Sequence, residues 1–171
     1  MSGSKVLNYF VRSNQWKMVL YAAAALSLLA ALIHLWVMPE HFEEWWGYGT
    51  FFLVIAIAQW FYSVDLLRWP TRLLFYLGIG SNLAIIVLYI VTRTVGIPLF
   101  GPHARVVEEV GVVDLCAAIS ELALASALGV LVVRPRGLSR ERVIMVLLIL
   151  GLIVVFVVHL LHLMLSGSPA H

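Results

Sequence analysis

The first long apolar run of the chain, MVLYAAAALSLLAALIHLWVM at residues 18–38, constrains the fold more than any other feature. It contains no Asp, Glu, Lys or Arg, and a helix of this length crosses the roughly 30 Å hydrocarbon layer of a membrane. Only 12% of all residues are charged, about half the fraction of an ordinary soluble protein. We therefore expect an integral membrane protein.

Four further apolar runs predict an all-α, polytopic membrane bundle that forms one domain. The five expected transmembrane helices cover about residues 18–38, 49–67, 71–95, 112–133 and 143–165. Trp69-Pro70 breaks the chain after the second span, and the short connection predicts that the second and third helices are antiparallel neighbours. Pro39 suits the first turn of a helix and predicts a short interfacial helix over about residues 39–47.

The basic residues predict the orientation of this bundle. Nine of them fall on one side, Lys5, Arg12, Lys17, Arg68, Arg72, Arg134, Arg136, Arg140 and Arg142, and two on the other, Arg93 and Arg105. Because cytoplasmic loops are enriched in Lys and Arg, the N-terminus is expected in the cytoplasm and the C-terminus outside. We expect a multi-pass protein of the cell (inner) membrane that contacts membrane lipids and does not bind nucleic acid. Assembly into a homo-oligomer or a larger membrane complex stays open.

Ionisable side chains inside the expected spans point to an outer pocket, because such groups are costly in lipid and need a partner or a function. His34 lies near the outer end of the first span, and His159 and His162 share one face of the fifth. Glu121 lies about 15 Å into the fourth span. A carboxylate at that depth must pair, carry a proton or face a wet cavity.

These residues predict a transition-metal site, since imidazole and carboxylate groups bind zinc, iron, manganese or copper. The candidate ligands are His34, His159, His162, His41, Glu44, His103 and Glu109. Glu121 and Asp114 are candidate catalytic bases if a metal-bound water serves as a hydrolytic nucleophile. A site without an open coordination position would instead be structural or would hold metal for delivery.

Two other functions stay open beside the metal site. The first is haem b held between helices, with His34 and either His159 or His162 as axial ligands. The second is a non-enzymatic membrane subunit or scaffold that binds lipid or a partner protein, which the lack of a complete catalytic motif in the sequence favours. Transport fits less well, because five spans without inverted halves do not match the usual transporter plan.

Structural roles compete with binding for several of these residues. An aromatic belt at the membrane surface is the simplest interpretation of Trp16, Trp36, Trp45, Trp46 and Tyr48. Gln59 and Asn82 fall at a depth similar to that of Glu121 and could close a hydrogen-bonded group with it. Arg93 is expected to neutralise Asp114 or Glu121.

Overall fold

The computed structural model describes residues 3–96, 101–102 and 106–133, with side chains described from Asn14 onward. This part of the chain is all-helical, without strands. Its helices are α1 (Gly3–Glu44), α2 (Trp46–Arg68), α3 (Arg72–Thr94) and α4 (Val112–Val132). Each contains a stretch long and apolar enough to cross a membrane, which in α1 is Asn14–Glu44. The chain is therefore a multi-pass membrane protein.

The end of α1 differs from the sequence-based prediction. In place of a separate interfacial helix over residues 39–47, α1 continues through Pro39 to Glu44, and α2 begins at Trp46. Only Trp45 between them is extended, with φ −168° and ψ 134°. His34 consequently lies ten residues before the end of α1, about 15 Å inside it rather than one turn.

The connection between α2 and α3 follows the break predicted at Trp69-Pro70, since α2 ends at Arg68. Thr71 then caps α3, because its side chain accepts a hydrogen bond of 3.2 Å from the Leu74 N–H. At the other end of α3, Gly96 adopts φ +82° and donates its N–H to the carbonyl of Val91. Glycine tolerates this left-handed conformation and ends the helix.

α1 is the central helix of the described bundle. It packs extensively against α2 and α4, and α3 packs against α4. Fully buried alanines on α1, among them Ala23 and Ala30, allow this close approach. The main apolar core takes buried side chains from all four helices, including Leu26, Leu66, Phe75 and Leu124.

α2 and α3 meet near their connection but are not an extensively packed pair, in contrast to the side-by-side packing that the short connection predicts. Near the connection, the Tyr62 hydroxyl donates to the Leu74 carbonyl at 3.0 Å and lies against Gly78. Toward the other end, Phe52 of α2 and Leu88 of α3 line one cavity. The space between α2 and α3 thus accommodates the candidate site.

We name the end of the bundle where α1 and α3 finish and α2 and α4 begin the site end. Arg93 belongs to it, whereas Arg68 and Arg72 lie at the opposite end. The expected fifth span, residues 143–165, lies outside the described residues. The orientation of the bundle in the membrane stays a prediction from the basic residues.

Candidate functional site

A buried histidine and a buried carboxylate form the polar centre of the bundle. His34 Nε2 of α1 lies 2.9 Å from Glu121 Oε1 of α4. The two residues are only 3% and 1% exposed. Gln59 of α2 extends the contact, since its Nε2 donates to the same Glu121 oxygen at 3.4 Å. One carboxylate therefore joins three helices.

The His34–Glu121 pair lies deep in the span. Glu121 is the tenth residue of α4, about 14 Å from the start of the helix, and His34 is at a similar distance from the end of α1. Half of a roughly 30 Å hydrocarbon layer is about 15 Å, so both groups lie near its middle. At this depth neither side chain can rely on bulk water, and each provides the other with one hydrogen-bond partner.

Local sequence explains why the two helices bring these groups together. Small or slender residues surround the pair, and Ala31, Cys116 and Ser120 are all fully buried. Ser120 keeps its hydroxyl on its own helix by donating to the Cys116 carbonyl at 2.8 Å. Seven residues before His34, Ser27 donates to the Gln59 carbonyl at 2.8 Å and ties α1 to α2. These contacts fix the rotation of α1 that directs His34 toward α4.

Asn82 does not join this group, although its depth suggested that it could. Its amide donates to the Gly78 carbonyl of the same helix at 2.7 Å. The Oδ1 atom is buried without a hydrogen-bond partner among the described residues. Of the expected hydrogen-bonded group of Gln59, Asn82 and Glu121, the structure therefore contains the contact between Gln59 and Glu121 and not a contact of either residue with Asn82.

A cavity of about 490 Å³ opens beside the His34–Glu121 pair. All four helices line it, and both members of the pair belong to its wall. Apolar walls dominate, with Ile85, Leu88 and Ala118 among them. Its volume lies within the roughly 300–1,000 Å³ that small-molecule sites occupy.

Arg93 organises a charged group at the site end, the Arg93 cluster, formed with Glu108 and Asp114. Arg93 Nη2 donates to Asp114 Oδ2 at 2.6 Å, and Nη1 contacts Glu108. Of the two partners that the sequence predicted for Arg93, Asp114 or Glu121, the structure shows Asp114. The guanidinium also lies 5.0 Å from the centre of the Tyr89 ring, and the Glu108 N–H donates to the Thr92 carbonyl at 3.1 Å. The cluster fastens residues 106–111 to α3 and α4.

Aromatic side chains form much of the remaining cavity wall. Six line it: Trp45, Trp46, Tyr48, Phe51, Phe52 and Tyr89. The Phe52 ring lies 4.1 Å from that of His41 and 5.6 Å from that of His34, measured between centroids. His41 Nδ1 is within 2.9 Å of the Val37 carbonyl, its hydrogen-bond partner. These aromatics connect the buried pair with the bundle end.

The residues expected to bind metal or to act as catalytic bases fall into three groups. Four of the predicted site residues line the cavity, namely His34, His41, Asp114 and Glu121. Glu44 and Glu109 are exposed and are not part of its wall. His103, His159 and His162 lie outside the described residues. Within the described part of the chain, no group of three His, Cys, Asp or Glu side chains is placed to hold a metal ion.

Two features of the site were not predicted from the sequence. Glu108 shares Arg93 with Asp114, and its position in the loop before α4 was the only available signal. Trp45 and Trp46 line the cavity, whereas their sequence context is equally typical of a membrane-surface belt. Comparison of the chain with protein-family models, with curated proteins and with solved structures finds no match.

Proposed function

We propose that the chain binds a small hydrophobic molecule within the membrane, in the cavity beside the His34–Glu121 pair. One observation carries this proposal: a mostly apolar cavity of about 490 Å³ contains a buried, hydrogen-bonded imidazole and carboxylate in its wall. Apolar walls with a few convergent polar groups are the usual form of a small-molecule site. Ionisable groups in mid-membrane are also retained chiefly where they have a task.

The residues that line the cavity indicate how each part of the wall would contact a ligand. The aliphatic and aromatic walls would provide most of the contact area, and the His34–Glu121 pair would orient a polar group of the ligand. The Arg93 cluster would hold residues 106–111 against α3 and α4 beside the cavity. Because α2 and α3 are not packed closely at this end, a ligand could enter between them from the lipid.

Ala118 allows a direct test, because it lines the cavity and is only partly buried. The experiment measures binding of N-phenyl-1-naphthylamine to the purified protein in mild detergent by equilibrium dialysis. Saturable binding near one molecule per chain is expected, and Ala118→Phe should abolish it by filling the cavity. Ala84→Phe is the matched control, since Ala84 is exposed on α3 and does not line the cavity. Equal binding by both variants would contradict the proposal.

A metal or haem site on His34 is the second candidate. The observation that favours it is the carboxylate at Nε2, because metal-binding imidazoles commonly bond a carboxylate through their other nitrogen. His34 Nδ1 would then be the ligand atom, since it has no hydrogen-bond partner among the described residues. Glu121 would position the imidazole, and further ligands would come from His159 or His162, as the sequence predicts.

Elemental analysis and an absorption spectrum test this second candidate in protein purified without a His tag or chelator. The expected result is a transition metal, or a Soret band for haem, near one equivalent per chain. His34→Ala should lose it, whereas Thr94→Ala, at an exposed position outside the cavity wall, should retain it. Colourless, metal-free wild-type protein would contradict this candidate without affecting the first.

We also infer that the site end faces away from the cytoplasm in a cell (inner) membrane. The distribution of Lys and Arg supports this orientation, with Arg68 and Arg72 at the opposite end of the bundle. A reporter active only outside the cytoplasm should be active when fused after Gly96 and inactive when fused after Pro70. The reverse pattern would overturn the orientation.

A further inference from the structure

We infer that the cavity takes a hydrophobic organic cation, such as a phosphonium or ammonium ion with aromatic or aliphatic substituents. This inference rests on the proposed function, since it specifies the charge of the molecule that the cavity binds. Three observations support it: the balance of charge in the cavity wall, a His34 nitrogen that has no hydrogen-bond partner among the described residues, and the aromatic lining.

The charged residues of the cavity wall are mainly acidic. Glu108, Asp114 and Glu121 contribute three carboxyl groups, and Arg93 is the one Lys or Arg side chain among the described lining residues. Arg93 already contacts both Glu108 and Asp114, so a single positive charge is shared by two negative ones. Glu121, the third carboxyl group, bonds with Gln59 and His34. A cation would compensate the negative charge of the Arg93 cluster that the single guanidinium leaves unbalanced, and attraction is strong where water is excluded.

His34 provides an independent indication. It is 3% exposed, lines the cavity, and has no hydrogen-bond partner for Nδ1 among the described residues. In the tautomer that donates Nε2–H to Glu121, Nδ1 carries a lone pair. This lone pair gives the adjoining cavity wall a negative potential. It repels an anion and suits a cation, with or without a hydrogen to donate.

The aromatic side chains of the cavity wall also favour a cation. Cations are attracted to the faces of aromatic rings, most strongly to tryptophan, and the attraction grows when water is excluded. Trp45 stands at the centre of an aromatic group, with ring centroids 5.3 Å from Trp46 and 5.0 Å from Tyr48. Arg93 above Tyr89 shows that the site already holds one cation in this manner. Substituents of the ligand would pack on the aliphatic walls.

Three probes separate charge from hydrophobicity: tetraphenylphosphonium and tetraphenylborate, which have nearly the same shape and opposite charge, and the neutral triphenylphosphine oxide. Their binding to the full chain in mild detergent is measured by equilibrium dialysis, with the signal of Ala118→Phe subtracted as micelle partitioning. The phosphonium should bind at least about tenfold more tightly than the borate. Glu121→Gln should weaken phosphonium binding about tenfold and change oxide binding by less than about twofold.

Asp65→Asn is the matched control, because it removes a carboxylate that lies near the opposite end of α2 and outside the cavity wall. It should leave all three affinities unchanged. If Glu121→Gln does not fold, as judged by circular dichroism and gel filtration, Asp114→Asn replaces it with the same expectation.

Two outcomes would overturn the inference. If all three probes bind equally and Ala118→Phe abolishes each, the cavity is a binding site without a preference for cations. If no probe binds more strongly to the wild type than to Ala118→Phe, the cation inference is wrong. The proposed function would be wrong as well only if the wild type also failed to bind N-phenyl-1-naphthylamine.

Discussion

His34 Nε2 and Glu121 Oε1, 2.9 Å apart, connect the central helix α1 to α4 near the middle of the membrane. Both residues are almost fully buried. Removing one partner would leave the other as an isolated polar group in a region of low dielectric constant, which is unfavourable. The pair therefore specifies how α1 and α4 pack, in addition to any role in binding.

This relationship predicts an energetic coupling between the two residues. In a double-mutant cycle with His34→Ala and Glu121→Gln, the free energies of unfolding should be non-additive by about 1–2 kcal/mol, the upper range for interhelical polar contacts in membranes. Unfolding is followed by circular dichroism as SDS replaces mild detergent.

The control cycle combines His34→Ala with Ser126→Ala. Ser126 lies on the exposed face of α4, where its hydroxyl donates to the Leu122 carbonyl of the same helix. Its coupling to His34 should be near zero. A coupling of equal size in both cycles would show that the His34–Glu121 contact is not the source.

The sequence predicts that His34 and Glu121 need partners, but not that they partner each other. Their depths agree only because α1 continues six residues past Met38 to Glu44, and a pattern of apolar residues does not reveal that continuation. Rotation about the helix axis is the second unknown. Gln59 and Asn82 have similar depths, yet Gln59 contacts Glu121 and Asn82 bonds within α3.

Features near helix ends were more predictable. Length and lack of charge identify α1 to α4 as spans directly. Arg93 and Asp114 lie near adjacent helix termini, and Asp114 was one of the two acidic partners, with Glu121, that the sequence predicted for Arg93. The cavity could not be predicted, because it depends on how far α2 and α3 separate, and a short connection fixes their distance at one end only.

Gly78 provides a prediction about the contact between α2 and α3. A Cβ atom at this position would clash with the Tyr62 hydroxyl and come within 2.7 Å of Leu128 Cδ1. Gly78→Ala should therefore displace Tyr62, break its hydrogen bond to Leu74 and lower the free energy of unfolding by about 1–3 kcal/mol. SDS titration measures this change.

Gly80 is the matched control on the same helix, because a Cβ atom there would have no neighbour within 4 Å. Gly80→Ala should be neutral or should stabilise the protein by up to about 1 kcal/mol, since alanine favours the helix. Destabilisation of similar size by both substitutions would mean that the tight contact with Tyr62 does not govern the effect.

Cys116 reports on the packing of α1 against α4. It is the only cysteine of the chain, it is fully buried, and it packs against Ile33. N-ethylmaleimide should label it at least about tenfold more slowly in mild detergent than in SDS, because reagent access requires the helices to separate. Ile33→Ala should accelerate labelling.

An exposed thiol calibrates this measurement. Thr94→Cys in a Cys116→Ser background places one cysteine at an exposed position near the site end and outside the cavity wall. Its labelling rate should be similar in both detergents. Rapid labelling of wild-type Cys116 in mild detergent would contradict the close packing of the two helices.

Arg93 yields the last prediction, which concerns residues 106–111. Its two terminal nitrogens contact Glu108 and Asp114 separately, and a lysine has only one charged nitrogen with which to replace them. Arg93→Lys should therefore retain the positive charge but release residues 106–111 from α3. Loss of an interaction worth about 1 kcal/mol corresponds to roughly fivefold faster amide exchange in that segment. Hydrogen exchange with mass spectrometry should detect the change at Glu108, whose N–H bonds to the Thr92 carbonyl.

The control for Arg93→Lys is Arg72→Lys, at an exposed position near the opposite end, which should leave this exchange unchanged. Equal protection of residues 106–111 in Arg93→Lys and wild type would show that the backbone hydrogen bond, and not the guanidinium, holds the segment in place.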